Sequence, residues 1–217
     1  MRFFAVTHDL HEIADLAASG LLDGVAVSPS MLTKPGQGAY AALVASIAGV
    51  ASGPICANVA ALDHKAMLQE GIELAKIAAN IAVTVPATVA GLKTCKALRD
   101  AGLMCAVTLC FTTAQMLLAA KAGANFVLPY VGGLEDTGES GLRLVGEACD
   151  MLRNYPALKT EVFAASLRSV NQLMECAKIG AHGALVQPRI LHLLPHHPLT
   201  EKGAAQFTAD AQKASEA

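Results

Sequence analysis

Short apolar runs recur along the chain at regular intervals, each followed by a longer segment with the spacing of an amphipathic helix. Phe3–Val6, Gly24–Ser28, Pro54–Val59, Ile81–Val85, Cys105–Cys110, Phe126–Tyr130, Glu161–Ser166 and Ala184–Gln187 are nearly continuous apolar stretches rather than strict alternations. That pattern predicts parallel strands covered on both faces. Between them, Leu10–Ala18, Ala66–Ala78, Gly91–Ala101, Thr113–Ala122, Gly141–Asn154 and Val170–Ile179 carry helical periodicity. Gly20, Gly102, Gly123 and Gly180 stand where helices should stop, and glycine there takes the left-handed conformation that closes a last turn. The segments Lys121-Ala122-Gly123-Ala124 and Lys178-Ile179-Gly180-Ala181 look like weak copies of one such junction.

Eight strand-helix units in sequence predict an α/β chain folded as a single (β/α)8 barrel over residues 1–217. A doubly wound open sheet is the alternative. It would more often carry a glycine-rich phosphate loop after its first strand, and Val6-Thr7-His8-Asp9 has no glycine. Ser30–Ala42, with Pro35, Gly36 and Gly38, reads as a loop. The segment from His196 to Ala217 reads as a final helix with Thr200 as its N-cap, although Gly203 holds the place of the capping-box acid.

Composition narrows the function. Apolar residues make up 53% of the chain and charged residues only 16%, which suits a large core or a buried subunit interface. A net charge of −2 with dispersed basic residues gives no footprint for nucleic acid or a membrane surface. No tryptophan is present and other aromatics are few, so a stacking platform for bases is not expected. Met1–Val6 is too short for a secretory apolar region, and no run is long enough to span a bilayer. The expected compartment is the cytoplasm. The six cysteines lack C-x-x-C spacing and partner histidines, so they read as reduced core residues, with no metal and no cofactor implied.

Chemistry in such a barrel belongs at the C-terminal strand ends. Those ends supply Thr7 and His8, Ser28, Asn58, Thr84, Thr108, Cys110, Tyr130, Ser166, Arg168 and Gln187. Hydroxyls and amides dominate, and His8 alone offers a ready proton carrier. Cys110 has no basic neighbour in the pattern and reads as an inert thiol. Glu135, Asp136 and Glu139 form a carboxylate cluster after strand six, either a solvated loop or a catalytic or metal-binding group. His192, His196 and His197 suit packing or an interface. Lys93, Lys96, Lys121 and Lys178 fall on predicted helices, which leaves Lys34 in the loop after strand two as the one lysine free to approach the mouth. Ser166 and Arg168 stand two residues apart at one strand end. A hydroxyl and a planar guanidinium so placed suit a single phosphate.

Collinear motifs then carry a resemblance across nearly the whole chain. They are Phe3-Phe4-x-x-Thr7-x-Asp9, Gly20-Leu21-Leu22-Asp23-Gly24-Val25, Val83-Thr84-Val85-Pro86-x-Thr88-x-x-Gly91-Leu92, Gln115 through Ala124, Ala164-Ala165-Ser166-Leu167-Arg168 and His197-Pro198-Leu199-Thr200. Together they are similar to the transaldolase and fructose-6-phosphate aldolase family. The resemblance implies a (β/α)8 barrel acting on sugar phosphates, with Thr108 as an active-site threonine and Ser166 and Arg168 on the substrate phosphate. It also implies ring-like homo-oligomers, pentamers or decamers, joined through the C-terminal helix. Several functional positions depart from the family pattern: Val6 for aspartate, Ser28 for asparagine, Asn58 for glutamate, Gly133 for arginine, and Thr84 for the lysine that forms the family's Schiff base. A hydroxyl forms no imine. The expectation is therefore a barrel that binds a small phosphorylated or anionic carbohydrate without the imine mechanism, through Ser166 and Arg168, with Thr108, Ser28, Asn58 and Thr84 lining the pocket and His8 as proton carrier. The alternative is a catalytically silent barrel kept as a structural or regulatory partner in an oligomer.

Overall fold

The computed structural model describes residues 1–32 and 38–215. Eight parallel strands close into a barrel in sequence order, with the first hydrogen-bonded to the last. They are β1 (Arg2–Val6), β2 (Gly24–Val27), β3 (Ile55–Asn58), β4 (Ile81–Pro86), β5 (Met104–Cys110), β6 (Phe126–Pro129), β7 (Glu161–Ala164) and β8 (Gly183–Val186). Around them lie α1 (Leu10–Ala18), α2 (Ala39–Ala48), α3 (His64–Ala75), α4 (Val89–Asp100), α5 (Thr113–Lys121), α6 (Val131–Glu135), α7 (Gly141–Arg153), α8 (Val170–Ile179), α9 (Pro188–Leu193) and α10 (Pro198–Ser215). The (β/α)8 expectation holds, and each expected strand matches an observed one to within two residues at either end.

The four glycines expected at helix ends have φ of 73° (Gly20), 76° (Gly102), 90° (Gly123) and 90° (Gly180). Side-chain caps start the helices. Asp9 accepts from the amides of His11 and Glu12 at the start of α1, and Thr112 and Gln115 form a reciprocal capping box at α5.

Two expectations need correction. The loop expected over Ser30–Ala42 is helical at both of its described ends: a 3₁₀ turn covers Pro29–Met31 and α2 begins at Ala39, while residues 33–37 lie outside the described residues. The alanine-rich run Ala39-Tyr40-Ala41-Ala42 favours helix, and Gly38 (φ 79°) supplies the turn into it. The final helix starts at Pro198, so Thr200 lies inside its first turn. Proline suits the first helical position, and the His197 ring accepts the Leu199 amide at 3.2 Å in the capping role assigned to Thr200. The short helices α6 and α9 follow β6 and β8 directly and had no signal of their own.

The barrel interior is filled unevenly. Phe4 (β1), Phe126 (β6) and Phe163 (β7) pack as an aromatic trio with ring centroids 4.7 to 5.8 Å apart. Phe126 meets both partners edge-on, the arrangement the ring quadrupole favours. The Arg2 guanidinium sits 4.9 Å from the Phe163 centroid and pairs with Glu161, closing the N-terminal end. Ala26, Cys56, Ala82, Ala106 and Ala165 complete the same interior cluster with small side chains. The opposite faces of the strands, including Val25, Ile55, Val83, Val107 and Val162, pack under the helices in a larger apolar layer. All six cysteines are buried and free, and burial pushes the Cys56, Cys110 and Cys176 thiols up to about 12.

The rings need glycine beside them. A Cβ on Gly183 would lie 2.2 Å from Phe163 Cε1, and one on Gly24 would lie 2.6 Å from both Phe4 Cε1 and the Pro54 carbonyl oxygen. Gly183→Ala is expected to cost on the order of 1–3 kcal/mol through overpacking. Urea unfolding of the variant beside the unaltered chain measures it, and an unchanged midpoint would show that the trio tolerates displacement.

Candidate active site at the barrel mouth

A cavity of about 490 Å³ opens at the C-terminal ends of the strands. Its wall combines Ser28 and Ser30 after β2, Asn58 at the end of β3, Thr108 on β5, Tyr130 after β6, Ser166 and Arg168 after β7, and Gln187 and Arg189 after β8, over a floor that includes Val6, Ala26 and Leu128. The small interior residues leave this volume open above the aromatic trio. Thus five residues expected from the sequence, Ser28, Asn58, Thr108, Ser166 and Arg168, share one cavity.

Local structure fixes each of them. The Ser28 hydroxyl lies 2.7 Å from that of Ser30. Thr108 is buried, and its carbonyl accepts the Ala87 amide at 2.9 Å across the β4–β5 junction. The next residue, Leu109, has φ 56°, and the β5–β6 register shifts between Val107 and Cys110, so the strand bulges just past Thr108. Ser166 also holds a left-handed backbone, φ 60°, a costly conformation for a non-glycine residue. Its carbonyl accepts the Gly132 amide at 3.2 Å. Gly132 leaves no room for a side chain: a Cβ would lie 2.6 Å from the Ser166 carbonyl oxygen and 2.8 Å from both Ser166 Oγ and Arg168 Nε. Arg168 is anchored by its own amide, which donates to Gln172 Oε1 at 2.6 Å, while Ser169 caps α8 by accepting from the Gln172 amide.

Arg168 is not a free cation. Both of its terminal nitrogens donate to the two carboxylate oxygens of Asp136 in a fork-to-fork pair. The hydrogen bond from Arg168 holds the Asp136 carboxyl below its usual value and raises the guanidinium in turn. Glu135 accepts from Gln172 Nε2. Two carboxylates of the expected cluster are therefore engaged by α8 and the loop before it, and among the described residues no three metal-ligating side chains come together.

Thr84 and His8 lie apart from the cavity wall. Thr84 points into the barrel in register with Asn58 on β3 and Ala106 on β5, is 1% exposed, and donates to the Ala82 carbonyl at 3.2 Å. Of its two register partners, Asn58 lines the cavity and Ala106 does not. His8 is exposed and lines an adjoining hollow of about 390 Å³ with Thr7 and Glu12, where the Thr7 hydroxyl donates to Glu12 at 2.8 Å. Lys93, Lys96, Lys121 and Lys178 sit on the outer helices, as expected. Lys34 falls outside the described residues. Gly133 faces the Phe111 and Tyr130 rings, each 3.0 Å from where its Cβ would be. The sequence reading missed Arg189, and its only signal was a position a few residues past the eighth strand end.

A parallel eight-stranded barrel with a polar site at the strand C-termini defines the class. The model of the transaldolase/fructose-6-phosphate aldolase family matches residues 3–217. A probable transaldolase from Rhodospirillum centenum is 52% identical over 213 residues, covering 98% of this chain and 92% of that protein. A probable transaldolase from Parvibaculum lavamentivorans is 50% identical, covering 98% and 97%. The chain belongs to the transaldolase/fructose-6-phosphate aldolase family. Solved structures share the barrel at low identity. A flavocytochrome b2 variant with benzoylformate superposes with a TM-score of 0.61 at 14% identity, and a mandelate oxidase variant with (S)-mandelic acid with 0.59 at 12%. Each superposition takes in 86% of this chain and, respectively, 57% and 64% of the other, and the likeness is one of fold alone.

The forked pair gives a pH prediction. Asp136 should titrate below the usual aspartate value of 3.8, and Arg168→Gln should return it there. Because the folded value is depressed, the pair's contribution to stability is complete above the ordinary aspartate range and is lost as pH falls through the lowered midpoint. A carbon-13 NMR titration of the Asp136 carboxyl reads this, and an identical midpoint in the two proteins would contradict the pairing.

Proposed function

We propose that the barrel mouth binds a small phosphorylated or otherwise anionic sugar, and that this chain does so without an imine. The carrying observation is the composition of the wall. Hydroxyls from Ser28, Ser30, Thr108, Tyr130 and Ser166, amides from Asn58 and Gln187, and the guanidiniums of Arg168 and Arg189 converge on one cavity, and its described lining holds neither lysine nor carboxylate. Such a set donates and accepts hydrogen bonds to a polyol and attracts an anion. The same set lacks an amine that could attack a carbonyl.

Thr84 supports the second half of the reading. By resemblance it stands on the strand position that carries the family's imine-forming lysine. Its hydroxyl is buried and already bonded to the Ala82 carbonyl. Thr108 and Asn58 are then the residues placed to hold a ligand carbonyl or hydroxyl, and Ser166 with Arg168 forms the β7 side of the anion site. His8, the proton carrier of the sequence reading, stands beyond the Gln187 and Arg189 side of the wall and serves an exposed portion of the ligand. A cytoplasmic setting accords with this substrate class.

A second reading, a silent barrel kept as an oligomeric partner, has one observation in its favour. The 18-residue helix α10 buries none of its side chains, and it leaves Leu199 71% and Phe207 78% exposed. A second copy of the chain covering this helix would give the ring-like homo-oligomer implied by the family resemblance.

Two measurements test these readings. Borohydride reduction in the presence of fructose 6-phosphate or dihydroxyacetone is expected to leave the chain mass unchanged, and an adduct on any lysine would refute the imine-free site. Thermal unfolding with a panel of sugar phosphates is expected to shift upward for at least one member, since a ligand that binds only the folded state stabilises it. No shift across the panel would favour the silent partner.

A further inference from the structure

Resting on the proposed anion-binding mouth, in which Ser166 and Arg168 hold one anionic group, we infer that Arg189 forms a second anion subsite on the β8 side, so that the ligand is a sugar carrying two anionic groups: a sugar bisphosphate or a phosphorylated sugar acid. The β7 subsite is compact. Ser166 Oγ and Arg168 Nε each lie 2.8 Å from the point where a Gly132 Cβ would stand, so the glycine lets the two donors face one small space. Asp136 steadies the guanidinium by its terminal nitrogens. Among the described residues neither Arg168 Nε nor the Ser166 hydroxyl has a protein partner, and both remain for a ligand. One hydroxyl and one guanidinium edge suit a single phosphate.

Arg189 offers a different edge in a different place. Its Nε donates to Gln187 Oε1 at 2.7 Å, which anchors the side chain. Among the described residues its terminal nitrogens have no protein partner and no carboxylate lies within ion-pair distance. Arg189 lines both the mouth of about 490 Å³ and the adjoining hollow of about 390 Å³, whereas Ser166 and Arg168 line the mouth alone. It therefore stands on the rim where the two concavities meet, apart from the donors past β7. The one carboxylate of the hollow, Glu12, accepts the Thr7 hydroxyl at 2.8 Å. A ligand with one phosphate, seated on β7, would leave the Arg189 charge unanswered, because a guanidinium stays protonated and the described lining of the mouth holds no carboxylate. A second anionic group at the far end of the sugar answers it. The polyol between the two groups crosses the mouth among Ser28, Asn58 and Thr108, in a volume within the range that encloses a small molecule.

Calorimetric titration of the full chain with D-fructose 6-phosphate, D-fructose 1,6-bisphosphate and 6-phospho-D-gluconate tests this. The unaltered protein is compared with Arg189→Gln, with Arg189→Lys, and with the double change Arg168→Gln and Asp136→Asn, which removes the forked pair without leaving a lone charge. Arg189 is exposed, so its variants are expected to melt within about 2 °C of the unaltered chain. In the unaltered chain at least one of the two doubly anionic sugars should bind roughly tenfold or more tightly than fructose 6-phosphate, as gain of a charge-assisted pair does. A preference for the bisphosphate identifies the second group as a phosphate, and a preference for phosphogluconate identifies it as a carboxylate. Arg189→Gln should abolish that preference while leaving fructose 6-phosphate within about threefold, and Arg189→Lys should keep part of it. The double variant should weaken all three ligands. Equal affinity for the three in the unaltered chain, or a loss of fructose 6-phosphate binding in Arg189→Gln as large as that of the doubly anionic sugars, overturns the second subsite while the sugar-phosphate reading survives. No heat from any of the three with the unaltered chain overturns both.

Discussion

Closing eight parallel strands into a barrel creates an interior that must be filled, and the way this chain fills it governs the shape of the mouth. Three phenylalanines from β1, β6 and β7 occupy one part of the interior, while alanines and a cysteine from β2 to β5, Ala165 just past β7 and Leu128 of β6 fill more of it. Each ring contributes roughly 1.5–3 kcal/mol by leaving water, so the aromatic trio anchors the barrel. The small residues contribute less to the core. In exchange, the mouth is left hollow enough to take a ligand. Gly24 and Gly183 belong to the same arrangement, since the rings lie where their side chains would have been.

The mouth then inherits its chemistry from the residues just past each strand. Every group on its wall stands at a strand end or within the next few positions, where the backbone is fixed by the sheet on one side and a helix on the other. Capping at α8 illustrates this: Gln172 binds the Arg168 amide and Glu135 together, so the loops after β6 and β7 are tied into one unit. Asp136 completes that unit by taking the Arg168 guanidinium. A pair formed in the open mouth contributes little to stability by itself. Its larger effect is positional, because it holds the guanidinium at the β7 side of the mouth.

The barrel was legible in the sequence because buried parallel strands read as apolar runs, and because glycines at helix ends are forced by a left-handed backbone that other residues avoid. The helix α2 was hidden by Pro35, Gly36 and Gly38, whose turn signals outweighed the alanines behind them. Strand ends named most of the site, since that is where a parallel barrel exposes side chains. Two features lay beyond such reasoning. The Arg168–Asp136 pair joins residues 32 positions apart, and no local pattern records it. Arg189 sits on a six-residue helix with no amphipathic period to announce it. Thr84 lies on its strand and His8 just beyond its own, as the spacing predicts. Whether they reach the cavity depends on depth, and depth is set by stagger between strands rather than by spacing within one.

Backbone strain marks the same region as the chemistry. Among the described residues, only Leu109 and Ser166 outside glycine have positive φ, and each adjoins or belongs to the cavity wall. Strain of this kind costs on the order of 1–3 kcal/mol and persists only where the surroundings over-determine it. For Ser166 the surroundings are visible. Gly132 presses against its carbonyl and hydroxyl with no space for a Cβ, and the Gly132 amide donates to that carbonyl. A chain selected only as a scaffold would gain by relaxing this turn, because glycine at position 166 would relieve the strain. A serine stands there instead, and the strained turn holds its hydroxyl on the wall of a cavity of hydrogen-bonding groups, so the β7 side of the mouth is a rigid one.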